Sequence, residues 1–166
     1  MHKETDFMRS YFLLVILIVL GFNNAIAAKI IPKTSTISPV GNWKTLDEVT
    51  GRTLAIIQIK EAENHTYVGT LIKTFPGKNQ STNDICSSCD HKDPRYNQRI
   101  LGMTIMTGFK PLGTNLWGGK ILDPTAGSIY RCQMRTVDNG KKLNVRGYIG
   151  LPLFGRTQTW ERDSDT

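Results

Sequence analysis

No segment of this chain shows a convincing helical period, so helix bundles and alternating strand–helix architectures are excluded from the start. Motifs that carry familiar chemistry are missing as well: there is no nucleophile elbow, no phosphate-binding glycine loop, no paired-histidine motif and no acid dyad. Gly118-Gly119 lies inside a strand-like run and reads as a bulge or kink, not as a phosphate cradle. Histidine is scarce, with three residues. His2 precedes an apolar leader, His65 falls in a hairpin turn and His91 in a long loop, so a histidine-based active site is not expected. The chain reads as a non-enzyme with no cofactor and no metal. Lysine and arginine outnumber aspartate and glutamate by 21 to 14, a net charge of +7, yet the positive residues form no run. That scatter describes a solubilised surface and not a nucleic-acid footprint. No uninterrupted apolar run reaches the roughly 20 residues of a bilayer-spanning helix. No cysteine precedes Cys86, which argues against a lipid-modified leader.

What is present first is an export signal. A start carrying Lys3 and Arg9, an uncharged apolar run from Tyr11 to Phe22 and then Asn23-Asn24-Ala25-Ile26-Ala27 match the three regions of a cleaved signal peptide. Cleavage is expected after Ala27, and Met8, followed by Arg9, is a second candidate start. Removing Lys3, Arg9, Glu4 and Asp6 leaves the charge excess unchanged. The expected organisation is a signal peptide over 1–27, a flexible Thr/Ser/Pro-rich leader over 28–39, one β-barrel domain over 40–162 and a disordered tail over 163–166. The mature protein is expected in the periplasm or secreted, with no stable membrane span.

The remainder is a succession of short β-rich runs, at about 41–45, 53–60, 66–75, 100–107, 115–122, 128–137, 142–150 and 155–162. Turn chemistry separates them at Thr50-Gly51, Glu63-Asn64-His65, Pro111-Leu112-Gly113, Asp123 to Gly127 and Asp138-Asn139-Gly140. Asn139-Gly140 predicts a two-residue hairpin turn, because both residues tolerate positive φ. Alternation assigns faces. Leu101, Met103, Ile105 and Phe109 share one, Tyr130, Cys132 and Met134 another, and Leu143, Val145, Gly147 and Ile149 a third. Each strand has one apolar and one wetter face, and about eight of them in sequence predict an all-β, antiparallel up-and-down barrel that removes its own edges.

On the last strand an inward Trp160 puts Gln158, Arg156 and Arg162 on its own face. In a closed meander with an even strand count the end of that strand lies beside the start of the first. Arg162 then meets Trp43, and the pair is expected to plug the closed end; the alternative is a frayed surface arginine. The long connection from Pro76 to Arg99 contains Cys86-Ser87-Ser88-Cys89. A structural Cys86–Cys89 disulfide, with Cys132 as a buried thiol, is the preferred reading in an exported protein. A redox pair, a zinc set of Cys86, Cys89, His91 and Cys132, and a long-range bridge to Cys132 are the alternatives.

Gly41-Asn42-Trp43 with a closing arginine resembles the lipocalin-type barrel. A fuller resemblance lies in Gly119-Lys120-Ile121-Leu122-Asp123-Pro124, Tyr130-Arg131-Cys132, Arg146-Gly147-Tyr148-Ile149-Gly150 and Gly155 to Trp160. With Cys86-x-x-Cys89 and Gly102-Met103-Thr104-Ile105 upstream, this looks like the DUF2147 family of exported bacterial proteins, over about residues 38–162. The resemblance implies a bacterial envelope protein with a lipocalin-like barrel and carries no established activity. In a bacterium the sequons Asn64-His65-Thr66 and Asn79-Gln80-Ser81 are chance matches.

Architecture then suggests a non-enzymatic binder of a small apolar or amphipathic ligand, since a barrel of about eight strands can enclose one small molecule. Candidate lining residues are Trp117, Tyr130, Met103, Ile105 and Tyr148, with Arg146 as an anion anchor, although alternation turns Arg146 and Tyr148 outward. The rival reading is a structural protein whose envelope partner docks on the long loop or on the apolar corner Gly150-Leu151-Pro152-Leu153-Phe154.

Overall fold

The computed structural model describes residues 37–78 and 81–164. The expected signal peptide, most of the expected leader, Asn79-Gln80 and the last two residues lie outside that range. Eight strands follow one another: β1 Gly41–Leu46, β2 Thr53–Ala62, β3 Thr66–Thr74, β4 Thr104–Gly113, β5 Leu116–Asp123, β6 Ser128–Val137, β7 Lys142–Tyr148 and β8 Arg156–Arg162. Each pairs antiparallel with the next, and β8 returns to β1 through Trp43 opposite Arg162, so the barrel is closed. This is the up-and-down barrel that the alternating pattern predicts. On β6 the rule is plain: Cys132, Met134 and Thr136 are buried, while Arg131 and Arg135 are exposed.

Departures from the expected boundaries have local causes. β4 was expected over 100–107 but runs to Gly113, and residues 100–103 precede it outside any strand. Gly108, with φ of 65°, absorbs a bulge between Thr107 and Lys110, so the strand continues through Pro111-Leu112-Gly113 and turns at Asn115, whose φ is 56°. The Asn139-Gly140 turn is longer than a two-residue hairpin. Pairing ends at Val137 opposite Lys142, and Asp138, Asn139 and Gly140 all take positive φ. Ile149 is 77% exposed instead of inward, because β7 ends at Tyr148.

The hairpins sort the barrel into two ends. At one, Trp43, Ile59, Phe109, Trp117, Met134 and Leu143 are all buried and fill the interior. Residues 37–39, expected within a flexible leader, cross this end as a strap. Ile37 donates its N–H to Asn115 Oδ1 at 2.7 Å and accepts from Thr136 Oγ1 at 3.0 Å. Pro39 accepts from Trp43 Nε1 at 2.8 Å. Asp163, expected within a disordered tail, is buried, donates its N–H to Asn42 and pairs with Lys44 at 2.9 Å.

The long β3–β4 connection is ordered by its own hydrogen bonds. Cys86 and Ile100 donate to the carbonyls of Gln98 and Asp84, and Ile85 bridges Arg99. Cys86 and Cys89 form a disulfide and both are buried. This loop covers the outer face of the barrel. Leu122 points outward by alternation, yet it is buried in the same apolar cluster as Cys86 and Cys89, bordered by Tyr96 and Ile100, whereas Met106 lies against Gly69 on the inner face. Contact is close enough to demand glycine at position 127, where φ is +70° and a Cβ would run into the carbonyl of Ser88.

Candidate functional site

Above the filled end the interior is hollow. Inner-face residues Thr45, Ala55, Leu71, Ile105, Val145 and Trp160, one from each of β1 to β4, β7 and β8, enclose an open cavity of about 760 Å³. That lies within the roughly 300–1,000 Å³ range of small-molecule pockets. The hollow follows from side-chain size. Gly147 and Ala55 stand on its wall, whereas the filled end places tryptophan, phenylalanine and methionine at the corresponding inward positions.

The wall is mostly apolar, and its polar groups gather toward the rim. On β8, successive inward positions are Arg156, Gln158 and Trp160, as alternation from Trp160 predicts. Trp160 Nε1 donates to Gln158 Oε1 at 3.3 Å. Arg156 Nη2 donates to Glu48 Oε2 at 2.5 Å across the mouth, from the β1–β2 loop. The Glu48 carboxylate, through its hydrogen bond and then its charge, holds the Arg156 pKa above the ordinary arginine value. Asp123 also faces the cavity, but its Oδ1 accepts the N–H groups of Thr125 and Ala126 at 2.9 and 3.1 Å, so this carboxylate is spent on starting a turn.

The candidate residues separate. Tyr130 and Ile105 line the cavity, and so does Tyr148, buried beneath the turn that ends at Gly155. Three others do not reach it. Trp117 is packed in the filled end, with Tyr67 edge-on at a ring separation of 6.0 Å. Met103 is buried but precedes β4 and hydrogen bonds to Leu71 through its carbonyl. Arg146 points outward, as its parity requires, and donates to Pro152 O, Thr157 Oγ1 and Leu153 O at 2.7, 2.7 and 3.0 Å. It fixes the 152–154 turn and has no free face for an anion in the cavity. Val145, placed on an inward face by alternation, lines the cavity, and the same alternation would have found Ala55 and Ile57, which sequence reasoning did not single out; the turn residues Pro124 and Thr125 carried no such signal.

At the closed end, Arg162 lies over the Trp43 ring at 4.2 Å and donates to the carbonyls of Gly140, Val40 and Ser38 at 2.6, 2.9 and 3.3 Å. Burial pulls its pKa downward. The arginine is therefore tied to backbone on three sides and is not frayed. Cys132 is a free, buried thiol whose pKa burial pushes up to about 12. With the Cys86 and Cys89 sulfurs bonded to each other and the His91 ring tilted against Tyr96 at a centroid separation of 4.2 Å, the three cysteines and His91 do not converge. Among the described residues no group of three potential metal ligands gathers, and no helix is long and apolar enough to cross a membrane.

Comparison with known proteins agrees with this architecture. The solved structure of protein HP1028 from the human pathogen Helicobacter pylori, described as belonging to the lipocalin family, superposes with a TM-score of 0.64 at 20% identity, covering 78% of this chain and 86% of that one. No curated protein sequence matches the chain. A family model described as an uncharacterized protein conserved in bacteria, DUF2147, matches residues 41–162, from the first residue of β1 to the last of β8. The chain belongs to the DUF2147 family, built on a lipocalin-like barrel.

Proposed function

We propose that the protein is exported to the periplasm or secreted, and that it holds a small apolar or amphipathic ligand in the open half of its barrel without catalysing a reaction. The observation that carries this reading is the cavity of about 760 Å³, apolar in its depth and polar at its rim. Tyr130, Ile105 and Tyr148 are the contacts from its side wall. Export is supported by the leader pattern over 1–27 and by the buried Cys86–Cys89 disulfide, a bond suited to an oxidising compartment. Burial of both sulfurs, with no helix behind Cys89, favours a staple over a thiol-exchange centre.

Native mass spectrometry of the protein isolated from the host envelope, before and after solvent extraction, tests the reading. A reproducible extra mass released by solvent is the expected result, and the intact mass reports cleavage after Ala27. A bare mass under gentle isolation, together with no uptake of amphiphiles, would overturn the carrier reading. One observation favours a second reading in that event: Leu151, Leu153 and Phe154 are 64–78% exposed on a turn held rigid by Arg146, an apolar corner of the kind used for docking an envelope partner.

A further inference from the structure

We propose that Arg156 is the headgroup anchor of the cavity, and that the ligand is a single-chain amphiphile with an anionic head, a carboxylate or a phosphate monoester, that replaces the Glu48 carboxylate on the guanidinium. This rests on the carrier reading and names its ligand class.

Three observations support the assignment. First, Arg156 is the one cation among the described cavity-lining residues. The lone lining carboxylate, Asp123, sits at the β5–β6 turn with its Oδ1 engaged by the N–H groups of Thr125 and Ala126, and Arg156 pairs with Glu48 instead. Second, the partner of Arg156 is exchangeable. Glu48 is not part of the cavity wall, and the two side chains are 44% and 78% exposed. An ion pair that wet contributes little to stability, so trading one carboxylate for another there costs little. The arginines at the 152–154 turn and at the closed end differ in kind. Arg146 and Arg162 each donate to at least two backbone carbonyls, which cannot be traded for a ligand. Third, β8 grades from charged to apolar as it descends, from Arg156 through Gln158 to Trp160. Ile57, Leu71 and Val145 line the same apolar depth. Such a gradient orients an amphiphile with its tail down and its head at the rim, where an arginine fork suits carboxylate and phosphate oxygens alike.

The test uses the delipidated protein and three probes of equal chain length: lauric acid, lauryl phosphate and lauryl alcohol. Binding is followed calorimetrically for the native protein, Arg156→Gln and Glu48→Gln, with thermal melts to verify folding. At least one anionic probe is expected to bind about fivefold or more tighter than the alcohol. Arg156→Gln should erase that preference while leaving the alcohol unchanged. Glu48→Gln should move the other way, strengthening the anionic probe by removing its competitor. Opposite signs are the discriminating feature, because an ion pair that merely braces the mouth would make both variants weaken binding. Equal affinity for all three probes, or weakened anion binding in Glu48→Gln, overturns the anchor and leaves the carrier reading standing. Uptake of none of them overturns both. Preference between acid and phosphate tells a fatty-acid head from a phosphate-monoester head.

Discussion

Replacing Arg162 by alanine removes the tie that holds the strap, the β6–β7 loop and the first strand together at the closed end. Its guanidinium makes three hydrogen bonds to backbone carbonyls. Each contributes about 1 kcal/mol net when buried, and roughly half that here, since the side chain is half-buried and water can reach the vacated carbonyls. Stacking on Trp43 adds about 0.5–2 kcal/mol. The expected loss is roughly 2–4 kcal/mol, read as a lower urea midpoint with unchanged slope and a fall in Tm of roughly 6–15 °C. Arg162→Lys should lose at least half as much, because an ammonium keeps the charge but cannot fork to three carbonyls. Gly41→Ala gives an independent check. At φ of +137° a Cβ is strained, and it would press on Arg162 Nη1, so in the double variant with Arg162→Ala the clash should disappear while the backbone strain remains, making the combined loss smaller than the sum of the two single losses. A loss below about 1 kcal/mol for Arg162→Ala, or a lysine as good as the arginine, would refute the reasoning.

Cys132 should resist maleimide at neutral pH until the barrel opens, so its labelling rate should follow global unfolding; rapid labelling of the folded protein would contradict its burial. The same thiol has a pH signature. Unfolded, it ionises near 9.0, whereas folded it is pushed up to about 12; the unfolded state therefore gains thiolate first, and stability should fall as pH rises from about 9 toward 12. A Cys132→Ala variant should flatten that alkaline decline, each protein's midpoint being referenced to its own value at neutral pH, where the thiol is uncharged in both folded and unfolded states. Breaking the staple with Cys86→Ser and Cys89→Ser should cost about 2 kcal/mol by chain entropy for so short a loop, and should open the β3–β4 connection to limited proteolysis. Unchanged stability and unchanged cleavage would remove the structural role and return weight to thiol exchange.

The eight strands were legible because the signals that make them are local. Period-two alternation and positive-φ turn residues act within a few positions of each other, so Tyr130-Cys132-Met134 and the Trp160 face could be oriented without knowing what lay opposite. The pairing of Trp43 with Arg162 was legible for a topological reason: an even, closed meander has only one place for its last strand to end. β4 was misplaced because a bulge at Gly108 shifts its phase, and a bulge leaves no more trace in the sequence than one glycine. Leu122 faces outward by period two, but its burial depends on a disulfide-stapled loop packing over it. Alternation says which way a side chain points and nothing about what covers it.

The site divides along the same line. The sequence by itself determined the barrel, its closing arginine and the inward side of Arg156, Gln158 and Trp160. Tertiary structure decided which end is filled and which is hollow, because that depends on side-chain volumes summed across eight strands at one level of the barrel. It decided that Trp117 packs the floor and that Arg146 binds backbone. It also brought Glu48 to Arg156, two residues far apart in sequence whose meeting at the mouth follows only from closure of β8 onto β1.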